Sequence, residues 1–332
     1  MAPPGTPPIL GQWILDTRSW YPEVQKVHQL ETYASRAFAV LPGAARSQVL
    51  RYVRPADAKM ALASALLKHY AVARLARARI PWSRVAAAGF APAPGGTKPV
   101  FVDPATGAQP VRFNVSHQAG VVAIVAVAVE EAEEGGGGGG GEVQVGVDVV
   151  SPAERRARDH RYIAEHGWPA FVDMHAEVLG RDEVAYLKGG RVPGAGAATA
   201  ADHEEEHNDR RLRAFYALWA LREAYLKLGG TGLVADWVRD LEFRGFRPPS
   251  PAPAWDSPAR EEEGQVLRDI GIWLRGDKVE DVDMCLRSVG PDFMIATAAR
   301  TPGRNAARLG PALGAYEVLS LEDVLSFAEA SG

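Results

Sequence analysis

The stretch "GVVAIVAVAV", residues 120–129, runs on without one polar side chain. It is too short for a membrane span, which needs about 20 apolar residues, and its valines and isoleucine favour a strand. A strand this apolar belongs at the centre of its sheet, since an edge position would leave it in water. "PVRFNV" (110–115) reads as a strand before it, joined through the polar turn "SHQAG" (116–120), and "EVQVGVDVV" (142–150) as a strand after it. Between the last two lie five residues, four of them glutamate, and seven consecutive glycines, 135–141. That run is a flexible linker. A phosphate-cradling loop interleaves glycine with fixing residues and leads into a helix, whereas this one leads into a strand.

The remaining patterns alternate in the same way. "GQWILD" (11–16) is a first strand, residues 23–39 fit a helix, and residues 56–79 are the clearest helix, rich in alanine and leucine. Arg74, Arg77 and Arg79 close it, as suits the negative end of a helix dipole. Further on, "FVDMHAEVLGRDEVAYLK" (171–188) fits a helix and residues 189–211 a long polar loop. "FYALWALREAYLKLGGTGL" (215–233) fits a second strong helix. "LEFRGF", "LRDIGIWLRG", "VDMCLRSVG" and "FMIATAAR" fit strands, interrupted by a Pro-rich loop at 248–258, and "YEVLSLEDVLSFAEA" fits a strand and a short helix. The order predicts an α+β protein of two similar α+β halves, 1–150 and 151–332, divided near Val150.

Composition removes several function classes. The single cysteine, Cys285, excludes an internal disulfide, fits a reducing compartment and reads as a small apolar residue in a strand. The start "MAPPGTPPIL" has neither a basic region nor a long apolar run, so neither a secretory signal nor a membrane anchor is expected. The expectation is a cytoplasmic protein. A net charge of −4 argues against a general nucleic-acid binder.

The second strong helix carries an anomaly. At about 100° per residue, Phe215, Tyr216, Trp219, Leu226 and Lys227 share a face, with Glu223 in its middle, while Leu218, Leu221, Tyr225 and Leu228 make a second apolar face. An ionised carboxylate on such a helix costs several kcal/mol unless a cation meets it. An ordinary i,i+4 pair with Lys227 is the plain explanation. Asp148 is equally out of place in an apolar strand. Period two sets it with Gln144, Gly146 and Val150, opposite Val143, Val145, Val147 and Val149. One hard cation would account for both carboxylates. Ser116 and His117 follow an apolar strand as turn residues or as a hydrolytic pair with Asp148, or else His117 and Lys98 are anion ligands to which Arg54 and Lys59 add. The hydrolytic reading lacks the G-x-S-x-G elbow, and adjacent side chains on an extended chain point apart. His203 and His207, at i,i+4 in an acidic run, read as solvated rather than as a metal site.

"GGTKPVF", "FNVSHQAG", "VGVDVV" and the W-x-x-x-E-x-x-x-K helix, in that order, resemble the motif series of the 4′-phosphopantetheinyl transferases, in the larger pseudo-dimeric form that includes the surfactin-synthetase activator and the eukaryotic broad-range enzymes. The likeness covers residues 54–233 and, in its strand plan, reaches about residue 300. It implies two similar α+β halves related by a pseudo-two-fold axis, with coenzyme A in the cleft between them. It implies transfer of the phosphopantetheine arm of coenzyme A to a serine of an apo acyl or peptidyl carrier protein, with release of adenosine 3′,5′-bisphosphate. Fatty-acid, polyketide and peptide synthase carriers and aminoadipate reductase are the implied partners, and a monomer suffices to build the cleft. By the same resemblance Asp148 and Glu223 would bind Mg²⁺, Lys227 would contact the phosphates, and Lys98, Ser116 and His117 would hold the coenzyme, with Arg54 and Lys59 adding charge. Glu223, Lys227 and Asp148 would thus be the catalytic set. Val150 stands where many bacterial members have a second carboxylate, and the "GKP" motif carries an inserted threonine. A module that binds coenzyme A without turnover is the alternative; it would need neither Asp148 nor Glu223.

Overall fold

The computed structural model describes residues 9–76, 79–93, 96, 98–129, 143–189, 202–229, 237–252, 264–301 and 309–332. Its first half opens with β1 (Leu10–Asp16), then the short helices α1 (Leu30–Tyr33), α2 (Ser35–Ala39) and α3 (Gly43–Leu50) and the long α4 (Pro55–Leu75). After α5 (Trp82–Ala88) come the small pair β2 (Ala91–Pro92) and β3 (Pro99–Val100) and the hairpin β4 (Val111–Gln118) and β5 (Val121–Ala128). The second half begins with β6 (Gln144–Val150), followed by α6 (Pro152–His166), α7 (Trp168–Asp173), α8 (Arg181–Lys188) and the long α9 (Asp202–Gly229). It continues through β7 (Leu241–Arg244), β8 (Val266–Leu267), β9 (Gly271–Leu274), β10 (Asp277–Lys278), β11 (Val282–Val289) and β12 (Phe293–Arg300) to β13 (Glu317–Leu319) and α10 (Leu321–Ala330).

Two four-stranded sheets form the centre, in the orders β13-β1-β5-β4 and β6-β12-β11-β8. The apolar run of β5 explains the layering. Val122, Ile124, Ala126 and Ala128 face a core shared with α4, and Val121, Ala123, Val125 and Val127 face a core shared with the second sheet. Both faces are buried, so both parities are apolar. In β6, Val145, Val147 and Val149 meet that same inter-sheet core, as their period of two requires. The opposite face of the second sheet carries α9. The result is a mixed α+β architecture with one long helix on the outer face of each sheet.

The two sheets also meet along one edge. β6 is a terminal strand of its sheet, and β4 is a terminal strand of the other. Val147 N donates to Asn114 Oδ1 (2.9 Å), Val149 N to Ser116 Oγ (3.4 Å) and Ser151 N to Gln118 Oε1 (3.2 Å). Alternate side chains of β4 thus satisfy the outward backbone amides of β6, and an edge that would otherwise be open is closed by side chains.

Several elements differ from the sequence expectations. "SHQ" continues β4, and the turn is Ala119–Gly120, both with positive φ (50° and 88°). Residues 23–39 form only a 3-10 turn and the short α1 and α2. Residues 171–188 are split between α7 and α8, because Gly180, extended at φ −67° and ψ 156°, starts a new helix. Within the span 189–211 read as a loop, α9 already begins at Asp202; residues 190–201 and the glycine run 135–141 lie outside the described residues. Of the Pro-rich loop, 253–258 lie outside too. Cys285 is buried in β11, as an apolar strand residue should be. The end of the chain does not stay with its half: β13 pairs in parallel with β1, and α10 packs on the core of α4. No described helix is long and apolar enough to cross a membrane.

Candidate active site

Between Ala214 and Leu228, α9 is buried at every position except Trp219, Glu223 and Lys227. These three, spaced by four, form one half-open stripe, and it lines a cleft of about 490 Å³ between the halves. Asp148 reaches the same cleft from β6, and Ser116 and His117 from β4. The close approach of helix and strand depends on Gly146: a Cβ there would lie 2.1 Å from the carbonyl oxygen of Ala224. The space that glycine leaves beside Asp148 is filled by the backbone of α9.

Asp148 is buried and doubly held. Ser116 Oγ donates to its Oδ1 at 2.9 Å, and Lys227 Nζ at 2.7 Å. Lys227 Nζ also donates to Ser116 Oγ and to the carbonyl of Val147, each at 3.1 Å. Burial pushes the Asp148 carboxyl above its ordinary pKa, against the pull of Lys227 and Ser116. Glu223 is also raised, first by burial and then by the charge of Asp148, with Lys227 opposing. Among the described residues nothing donates a hydrogen bond to Glu223. His117 keeps its ring open to solvent, yet the protein around it desolvates it enough, with Lys227 adding, to hold it below the ordinary histidine value; Asp57 and Asp148 oppose. The Ser116 hydroxyl goes directly to Asp148 and not to His117, so no serine–histidine relay is assembled.

The other basic candidates do not line the cleft. Arg54 is the exposed residue preceding α4, whose first turn carries the Asp57 felt by His117. Lys59 Nζ donates to the carbonyl of Tyr21 (3.1 Å). Lys98 Nζ donates to the carbonyls of Val145 (2.9 Å) and Lys227 (3.4 Å). Val150 is buried in the second core and supplies no ligand atom. His207 lies on α9, and the side chain of His203 is outside the described residues.

Other cleft residues gave no clear signal in the sequence. Phe171, His175, Phe215 and Tyr216 give the cleft an aromatic wall. His175 Nδ1 donates to the carbonyl of Phe171 (2.9 Å), its ring 4.6 Å from that of Phe215. Tyr216 donates its hydroxyl proton to buried Asp159. Gln118 escaped notice because the strand was expected to end at Val115; its period of two with Asn114 and Ser116 was the available signal.

Two carboxylates held above their ordinary pKa by burial, Glu223 also by the charge of Asp148, with one ammonium acting on both, suit a hard divalent cation. No group of three or more such ligands occurs among the described residues. Mg²⁺ is commonly held by one or two carboxylates together with substrate phosphates, so this pair fits it.

Family profiles match both parts of the chain: "4′-phosphopantetheinyl transferase, N-terminal" over residues 19–129 and "4′-phosphopantetheinyl transferase superfamily" over residues 144–265. A protein named 4′-phosphopantetheinyl transferase 1 from Fusarium mangiferae is 41% identical over 97% of this chain and 96% of its own length. The chain belongs to the 4′-phosphopantetheinyl transferase superfamily. A second relative, 4′-phosphopantetheinyl transferase NpgA of Emericella nidulans, is 32% identical over 91% of this chain and 85% of its own length. More distant is the human L-aminoadipate-semialdehyde dehydrogenase-phosphopantetheinyl transferase, at 22% identity over 89% of this chain and 72% of its own length. The fold class, the transferase assignment and the motif order expected from the sequence agree with this membership.

Proposed function

We propose that this transferase moves the 4′-phosphopantetheine arm of coenzyme A to a serine of apo carrier proteins, with Mg²⁺ held by Asp148 and Glu223. The observation that carries the reading is the half-open stripe of Trp219, Glu223 and Lys227 facing Asp148 across an otherwise buried helix. When bound, the ion supplies charge withdrawal from the pyrophosphate and stabilises the departing bisphosphate. Lys227 adds a fixed positive charge for the phosphates, and Ser116 orients Asp148. His117, at the mouth beside the first turn of α4, takes the 3′-phosphate, with Arg54 and Lys59 contributing charge from that turn. Glu223, directly or through a water, is the proposed acceptor for the proton of the carrier serine. A monomer in the cytoplasm, built of two halves with a pseudo-two-fold relation and divided before β6 rather than at Val150, is part of the same proposal. The carriers are those of fatty-acid, polyketide and peptide synthases or of aminoadipate reductase; no nucleic-acid or membrane partner is part of it.

The test incubates the protein with coenzyme A, Mg²⁺ and an apo acyl carrier protein and weighs the carrier. A gain of about 340 Da that disappears with chelator, or with Glu223→Gln, supports the transfer and the metal pair. No gain across several carriers, with coenzyme A still bound, would instead favour a binding module.

A further inference from the structure

α7 ends beside the cleft, and the residue that closes it keeps one polar atom unused. The last turn of a helix leaves carbonyls without amide partners, and His175 Nδ1 takes that of Phe171 at 2.9 Å. A carbonyl only accepts, so Nδ1 carries the ring proton, and in the neutral ring Nε2 is a bare acceptor. Burial lowers the pKa of this ring; the Phe171 carbonyl and Asp159 oppose, while Arg155 and Arg158 add, so the neutral form holds near pH 7. Nε2 meets no hydrogen-bond partner among the described residues, although the ring is only half-buried and lines the cleft. The ring centroid lies 4.9 Å from that of Phe171, 4.6 Å from Phe215 and 6.1 Å from Trp219. Among three aromatic rings, a hydrogen bond to that nitrogen is stronger than it would be in open water.

Position along α9 says which donor fits. Trp219 and Phe215 lie eight and twelve residues before Lys227, about 12 and 18 Å along the helix axis. The pantetheine arm of coenzyme A carries two amide N–H groups. The distal one stands ten bonds from the phosphorus, about 12 Å in an extended chain, and the proximal one six bonds away, about 7 Å. Only the distal amide reaches the level of Trp219. We propose that His175 is a specificity-determining residue: its Nε2 accepts a hydrogen bond from the distal amide N–H of the pantetheine arm, with Phe171, Phe215 and Trp219 packed along the arm. The inference rests on the transferase reading and deepens it. Asp148, Glu223 and Lys227 address phosphates, which many nucleotides share; His175 addresses a group that the arm alone carries.

Titration calorimetry with Mg²⁺ present tests this by comparing coenzyme A with an analogue in which an ester oxygen replaces the distal N–H. Loss of one neutral hydrogen bond corresponds to about 3- to 10-fold in affinity. The wild-type protein is expected to bind the ester weaker by that factor. His175→Phe, which keeps a flat ring against its neighbours, is expected to bind both ligands with equal affinity. Equal affinity of the wild-type protein for the two ligands overturns the proposal, and so does a preference for the amide that survives His175→Phe. The first comparison needs only wild-type protein, so it decides even where His175→Phe does not fold. A wild-type protein that binds no coenzyme A at all overturns the transferase reading as well, whereas equal binding of amide and ester overturns this inference alone.

Discussion

The helices α4 and α9 occupy equivalent layers, each long and each laid on the outer face of a four-stranded sheet, yet they treat polar side chains differently. α4 buries the imidazole of His69, held neutral. It stacks on Trp82 at 5.5 Å, and its Nδ1 donates to the carbonyl of Ala65, while Nε2 has no partner among the described residues. α9 buries full charges, and each meets a counter-charge. Arg222, 1% exposed, donates to Glu183 at 2.7 Å, and Glu183 accepts further from the amides of Gly180 and Phe243. Lys227 meets Asp148 in the same way. A packing helix tolerates a polar group only in its uncharged form; a helix that carries a site keeps charges, and its surroundings are built to answer them.

The largest expected effect breaks the comparison at the stripe. Glu223→Gln should slow carrier modification about 10³-fold while leaving the thermal midpoint unchanged or higher, because nothing among the described residues donates to this carboxylate. A midpoint that falls together with activity would mean that the stripe is structural. Arg222→Met strands Glu183 and should cost about 3–5 kcal/mol in urea unfolding. A loss near zero would show that Glu183 takes up a proton instead.

His69 sharpens the contrast through pH. Burial, with Lys68 adding and the carbonyl of Ala65 opposing, lowers its pKa from 6.5 to about 4. Between those values the unfolded chain binds a proton that the native protein does not, so stability falls as pH drops through that window and levels off below it. The contribution is on the order of 3 kcal/mol, and His69→Phe should flatten this part of the profile measured by urea unfolding at pH 7 and pH 4.5. An unchanged acid slope would place the titrating group elsewhere. The smallest effect is expected at the joint: Gly146→Ala should cost roughly 1–3 kcal/mol by forcing strand and helix apart. Carrier modification should slow more than this loss of stability explains, which comparing rate and unfolding midpoint in one variant would detect.

Where a pattern was local, it was legible. The alternation of β6, the apolar run of β5 and the i,i+4,i+8 spacing of Trp219, Glu223 and Lys227 each follow from one repeat read against one geometry, and the structure places them accordingly. What escaped was settled by distant partners. "SHQ" looked like a turn because its polar residues were weighed alone; they are strand residues, and the side chains of Ser116 and Gln118 meet the amides of Val149 and Ser151. Gly146 looked like open space because the helix that fills it lies far along the chain. Lys98 matched a motif, but two main-chain carbonyls from the second half decide its surroundings. The break at Gly180 was visible as a glycine and was outweighed by the apolar periodicity on both sides of it.

The pairing of β1 with β13 places a constraint on synthesis. Trp13 donates its indole proton to Glu317, 304 residues later, and its strand has no other neighbour on that side. At about 5–20 residues per second, a ribosome leaves β1 waiting roughly 15–60 s for its partner. Through that interval a nascent chain exposes an unpaired edge on a strand already built for pairing. The first half is thus begun first and completed last, and truncation at the far end of the gene product damages the sheet nearest its beginning.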